Sequence, residues 1–133
     1  MSGQSLSAAE RIRRRPEFER VYGNGARVHG RFMTLVVLQN GGAASRLGVA
    51  ATRKLGGAVV RNRAKRLARE VFRRQKVAAG LDVVVIPRRE MLDAPLPGLE
   101  ADYRAALERG GRQARATPVR TRPRRRAGGA EGV

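Results

Sequence analysis

The chain has 133 residues, of which 29 are Lys or Arg and 11 are Asp or Glu, giving a formal net charge of +18. That length supports one domain with one modest core, and the charge imbalance calls for a polyanionic partner, either a nucleic acid or an anionic membrane surface. With no cysteine and His29 as its one histidine, the polypeptide is excluded from disulfides, thiolate zinc sites, cysteine nucleophiles and histidine pairs. No uncharged apolar run is long enough for a membrane-spanning helix. No apolar signal core precedes Arg11, so export is not expected and a cytoplasmic setting is. The only lysines are Lys54, Lys65 and Lys76. Arginine's planar fork suits bidentate phosphate contact and stacking on bases, although a GC-rich genome would produce the same bias.

Residues 1–10 are small and polar without periodicity, and a flexible N-terminus is expected there. The basic cluster Arg11, Arg13, Arg14 and Arg15 leads to Pro16, Glu17 and Glu19, a proline and acids suited to the first turn of a helix. That helix should run from Pro16 to Gly23-Asn24-Gly25. On it Phe18, Val21 and Tyr22 share a face, and Val21 is expected in the core. Phe18 and Tyr22 either join Val21 there or, as two of only five aromatics and set beside arginines, form a stacking platform for unpaired bases.

Arg27 to His29 reads as a short strand, and Phe32 to Leu38 as a strong one covered on much of both faces. Gly41 to Ser45 reads as a hairpin-like loop that returns the chain as a second strong strand, Arg46 to Thr52. Gly48 and the alanines of that strand permit close approach of a ligand or another backbone. Arg53-Lys54 then precedes a Gly56-Gly57 turn whose amides, with a helix starting behind them, form a phosphate seat. The lysine and hydroxyl of a nucleotide-binding P-loop are missing from it.

The helix after this turn has two opposed faces. Val60, Ala64, Leu67, Ala68 and Val71 make an apolar stripe, while Arg61, Asn62, Lys65, Arg66, Arg69, Arg73 and Lys76 fall on the other side. Arg61, Lys65, Arg69 and Arg73 repeat at i,i+4 with one sign, and Glu70 is the one acid of the segment. Like charges at that spacing repel, so a folded polyanion such as RNA is the fitting counterpart. Ala79-Gly80 should end the helix, and Leu81 to Ile86 should form a further strand, stopped by Pro87 and parallel to the one before the helix. After a loop from Pro95 to Gly98, Leu99, Tyr103, Ala106 and Leu107 mark a closing helix that Gly110-Gly111 should end. The remaining residues are rich in arginine, proline and glycine, a composition expected to stay disordered.

Catalytic groups do not gather in this sequence. The acids are scattered: Glu17 and Glu19 point to different sides of a short helix, Glu90 and Asp93 lie in a loop, and Glu100 and Asp102 sit where helix-starting acids sit. Nothing matches a serine triad or a dinucleotide motif, so the polypeptide reads as a binder without chemistry of its own.

The run from Lys54 to Arg73, of the form K-x-G-x-A-V-x-R-N-R-x-K-R-x-x-R-E-x-F-R, resembles the signature of the bacterial ribonuclease P protein subunit. Arg15 to Tyr22, Arg46-Leu47-Gly48 and Asp82 to Arg88 support the resemblance, which covers about residues 11–109. It implies an α+β fold, an α-β-β-β-α-β-α two-layer sandwich similar to domain 2 of ribosomal protein S5, with a left-handed βαβ crossover against the general rule. It also implies three parts: a flexible N-terminus (1–10), an RNA-binding domain (11–109) and a disordered basic tail (110–133).

By the same resemblance, the partner RNA carries the catalytic magnesium site and cuts precursor tRNA at its mature 5′ end. Arg61, Asn62, Arg63, Lys65, Arg66, Arg69 and Arg73 would bind that RNA. Phe18, Tyr22, Thr34, Val36, Arg53 and Lys54 would line a cleft for the 5′ leader. The protein alone is expected as a monomer with no catalytic residue and no metal of its own. Some relatives carry an aromatic where this chain has Val36, so one stacking partner would be missing. The competing reading is a basic structural RNA-binding protein of ribosomal type, and an autonomous nuclease is disfavoured by the scattered acids.

Overall fold

A computed structural model describes residues 8–75 and 80–116. The elements in chain order are a short 3-10 turn (Ala8–Glu10), α1 (Arg15–Asn24), β1 (Ala26–His29), β2 (Met33–Gln39), β3 (Arg46–Val49), α2 (Ala58–Arg74), β4 (Leu81–Pro87), a second 3-10 turn (Arg89–Asp93) and α3 (Leu96–Arg115). The helix and strand order is the expected α-β-β-β-α-β-α.

The four strands form one mixed sheet in the order β1-β2-β4-β3. β2 pairs antiparallel with β1 and β4, while β3 and β4, joined through α2, pair in parallel as expected. The hairpin expected at Gly41 to Ser45 does not form, because β4 lies between β2 and β3. The reason is burial. Val83, Val84 and Val85 are apolar toward both faces and fully buried, which suits a central strand. β3 is shorter than expected, ends at Val49 and takes the edge. That edge is closed by the N-terminal segment: Arg11 bridges Leu47, and the Ile12 N–H donates to the Leu47 carbonyl at 2.8 Å.

Strand alternation sorts the core into two clusters. Met33, Leu35, Val37, Leu47, Val83 and Val85 meet Ala68, Val71 and Phe72 of α2 and Leu99, Tyr103, Ala106 and Leu107 of α3. On the opposite face Val36 and Val84 meet Val21 of α1 and Ile12, with Phe18, Leu38, Ala50 and Ile86 at the margin.

α3 differs from expectation at both ends. It begins at Leu96, and it runs through Gly110-Gly111 to Arg115. A Cβ on Gly110 would lie 2.8 Å from Val37 Cγ2. Glycine there is a packing residue that lets the helix reach the sheet, and tertiary contact overrides its poor helix propensity. Asp102 therefore lies inside α3, where its carboxylate accepts the Arg31 and Phe32 N–H groups at 2.8 and 2.9 Å and ties the β1–β2 turn to the helix. Glu90 and Asp93 fall in the second 3-10 turn. Lys76, the expected helix end at Ala79 and most of the basic tail lie outside the described residues.

Candidate nucleic-acid interface

α1 is docked by one fully buried side chain, Val21, and by ionic contacts along one flank. The Asp82 carboxylate, wholly buried at the start of β4, lies in register between Leu38 and Arg46. It accepts from Arg46 Nε and Nη2, both at 2.8 Å, and from Asn40 Nδ2 at 2.9 Å, with Arg20 Nη1 at 3.4 Å. Arg46 Nη1 also donates to Glu17 at 3.1 Å. The hydrogen bonds it donates to Asp82 hold the Arg46 guanidinium charged well above its ordinary range, against the opposing effect of burial. Burial pushes the Glu17 carboxyl up, but the Arg13 and Arg14 N–H donors and Arg46 outweigh it and leave it below the ordinary carboxylate range. A charge buried this deeply is tolerable only when paired and hydrogen-bonded. Sequence reasoning missed this group, although an acid inside Leu81-Asp82-Val83-Val84-Val85-Ile86 was a visible signal.

With that flank fixed, Phe18 and Tyr22 occupy the other, their ring centroids 6.3 Å apart. Phe18 is half-buried and lies over Gly48, whose missing side chain makes the room. Tyr22 is exposed, near Arg27, and burial of its inner side raises its hydroxyl pKa against the lowering effect of that arginine.

Val36 does not line a cleft. It is 0% exposed beneath α1, where Gly25 packs on its Cγ1, so this sheet position is core. Thr34 is also buried, at 7% exposure, and its hydroxyl meets the Nδ1 of exposed His29 at 3.1 Å. The surface beside Thr34 therefore belongs to His29, which sequence reasoning had considered only as a catalytic group.

α2 presents the basic face. Asn62, Arg63 and Arg66 are exposed, and Arg61, Lys65 and Arg69 are half-buried. Arg63 donates to the Leu92 carbonyl at 2.9 Å, and the Arg61 Nε is buried without a hydrogen-bond partner. Arg73 is the exception within the expected set. It pairs with Glu70, which also binds Arg74, and hydrogen bonds from Arg74 and Arg73 hold the Glu70 carboxyl below its ordinary range. Its charge is thus offset inside the protein, a cost to phosphate binding that the i,i+4 pattern did not reveal. The α2 start is exposed at Gly57, Ala58 and Val59, with exposed Arg53 and Lys54 in the preceding turn. In that turn Gly56 has φ +153°, and a Cβ there would meet Val60 at 2.9 Å, so glycine is required.

A pocket of ≈310 Å³ opens between α2, β3 and the N-terminal segment. Lys65 and Arg69 line one side, and Arg11 and Arg13 belong to its wall. Ile12, Phe18 and Gly48 contribute apolar surface. The structure thus brings Phe18, expected at the leader, into one concavity with Lys65 and Arg69, expected at the catalytic RNA. Tyr22, Thr34, Val36, Arg53 and Lys54 are not among its lining residues. The chemistry it offers is an aromatic and aliphatic surface ringed by cations, without a carboxylate, which suits a nucleotide. Among the described residues no group of three or more His, Asp or Glu side chains is placed to hold a metal, and no helix is long and apolar enough to cross a membrane.

Comparison with known proteins identifies the family and supports the fold. The family described as Ribonuclease P matches residues 6–111. The ribonuclease P protein component of Symbiobacterium thermophilum is 43% identical over 109 residues, covering 80% of this chain and 95% of that protein. The component from Thermotoga maritima is 38% identical over 90 residues, covering 66% and 77%. Among solved structures, the Thermotoga maritima RNase P protein superposes with a TM-score of 0.68 at 33% identity, over 75% of this chain and 96% of that one. The Staphylococcus aureus RNase P protein gives 0.65 at 31% identity, over 74% and 93%.

Proposed function

The chain belongs to the ribonuclease P protein family, and from that premise we propose that it binds the ribonuclease P RNA through α2 and the 5′ leader of precursor tRNA beside α1. The observation that carries this reading is the shared pocket, which Phe18 lines together with Lys65 and Arg69. A single-stranded leader needs a π-face for its bases and cations for its phosphates, and a folded RNA needs a phosphate-binding face. Here the two are continuous, so one protein can hold the leader against the catalytic RNA and promote cleavage at the mature 5′ end.

In this reading Arg61, Asn62, Arg63, Lys65, Arg66 and Arg69 take the RNA backbone, with Arg73 in a lesser role. Phe18 and Tyr22 stack on leader bases, His29 extends their surface in place of the buried Val36, and Arg53 and Lys54 meet phosphates at the start of α2. The described carboxylates do not converge on a cation site. In this reading magnesium is bound mainly by the RNA, and the polypeptide's part is to bind, orient and neutralise charge. A cytoplasmic protein, monomeric on its own, that assembles with the ribonuclease P RNA and precursor tRNA completes the reading.

The test is leader dependence. A photo-crosslinking residue introduced at Tyr22 of the reconstituted holoenzyme should attach to the leader of precursor tRNA and not to the mature tRNA body. Attachment to the tRNA body alone would instead favour a structural RNA-binding role.

A further inference from the structure

The buried carboxylate of Asp82 has no place in the interface itself, yet four donor contacts converge on it. Two of its partners tie it to α1: Arg20 directly, and Glu17 through Arg46. Along a helix of 3.6 residues per turn, Glu17 and Arg20 lie on one side of Val21, and Phe18 and Tyr22 lie on the other. Val21 is the only fully buried residue of α1. Apart from Val21, only half-buried Phe18 packs α1 onto the apolar core, so the ionic relay on the Glu17–Arg20 flank helps set the height of the Phe18–Tyr22 flank.

We propose that Asp82 is a positioning residue for leader recognition: through Arg20 and the Arg46–Glu17 relay it sets the roll of α1 and thereby the presentation of Phe18 and Tyr22. This rests on the reading of Phe18 and Tyr22 as leader contacts. The relay's geometry argues against mere filling of space. Arg46 uses two nitrogens on the two oxygens of Asp82 and a third on Glu17, a planar fork that fixes direction as well as distance. Glu17 in turn accepts the Arg13 and Arg14 N–H groups at 3.2 and 3.3 Å. The relay therefore also orders the N-terminal segment that walls the pocket beside Phe18.

The experiment uses holoenzyme reconstituted with a bacterial ribonuclease P RNA. Its readout is the ratio of affinities for precursor tRNA with a leader and for the same tRNA without one, measured alongside affinity for the RNA subunit. Asp82→Asn keeps the volume and removes the charge. It should lower the ratio about tenfold, on the scale of one lost stacking contact, with RNA-subunit affinity held within about twofold. Phe18→Ala should lower the ratio similarly and add little in the Asp82→Asn background. Should Asp82→Asn fail to fold, Glu17→Gln and Arg20→Gln, each at a partly exposed side chain, carry the test and should lower the ratio in the same direction. If the relay variants leave the ratio unchanged while Phe18→Ala lowers it, the positioning role is wrong and the leader reading stands. If Phe18→Ala also leaves it unchanged, both fall. Loss of RNA-subunit affinity with an unchanged ratio would make Asp82 a general structural residue and overturn the proposal.

Discussion

The Phe18 ring lies against Gly48, close enough that a Cβ on the glycine would sit 2.8 Å from Cε1 and 2.9 Å from Cζ, with Ile12 Cβ at 3.0 Å. This contact joins α1, the edge strand β3 and the N-terminal segment at the pocket that Lys65 and Arg69 line. Phe18 packs on its inner side and lines the pocket with the rest.

Gly48→Ala should therefore displace the Phe18 ring. Overpacking of this kind costs about 1–3 kcal/mol, so urea unfolding should show reduced stability. The preference of the holoenzyme for leader-bearing over leaderless tRNA should fall, with RNA-subunit affinity retained. An unchanged preference would mean that the ring's position does not matter to the leader.

Val36→Ala should behave as a core mutation. Val36 is fully buried under α1, and removing its two methyl groups should cost about 2 kcal/mol of unfolding free energy. At temperatures where the variant is folded, leader preference should match that of the parent. A changed preference without loss of stability would return Val36 to the leader surface.

Two effects oppose each other in Gly110→Ala. Alanine is favoured over glycine in a helix by about 1 kcal/mol, yet the new methyl would meet Val37 Cγ2 at 2.8 Å in a packed interior, at a cost of about 1–3 kcal/mol. The clash should win, and thermal unfolding should occur at a lower temperature. A stabilised variant would show that α3 can lift from the sheet there.

Arg66→Ala with Arg69→Ala should weaken assembly with the RNA subunit. The slope of log K against log salt should flatten by about 1.5, the share of two phosphate contacts. Arg73→Ala should change the slope less, because Arg73 is already paired with Glu70, which it shares with Arg74. Equal slopes for the double variant and the parent would remove Arg66 and Arg69 from the interface.

Glu17 and Glu70 are both held below the ordinary carboxylate range, Glu17 by donors that outweigh burial and Glu70 by Arg74 and Arg73. A carboxyl depressed in the folded state adds stability that is fully present above its unfolded pKa and is lost as pH falls through the folded value. Unfolding free energy of the isolated protein should thus hold from pH 7 to about pH 5 and decline below about pH 4.5. A decline that begins between pH 7 and 6 would contradict this.

Much of this architecture was legible because its signals are local. The period of α1 and α2, the apolar runs of β2 and β4 and the parallel strand pair about α2 all follow from side-chain spacing. What was not legible depends on distant partners. Strand order puts β4 between β2 and β3, and no local pattern encodes it. Gly110 reads as a helix stop unless Val37 is known to lie beneath it. Arg73 reads as a free cation until Glu70 is seen to fold back on it. Val36 was assigned to the cleft by analogy with relatives, and the chain buries it because α1 packs directly on that strand.

The most direct test of the central claim is cleavage of precursor tRNA at low magnesium by the protein alone, by a bacterial ribonuclease P RNA alone, and by the two together. A cut at the mature 5′ end is expected only when both are present, weakened by Arg66→Ala with Arg69→Ala. Binding without rescue of a competent RNA, or cleavage by the protein alone, would contradict it.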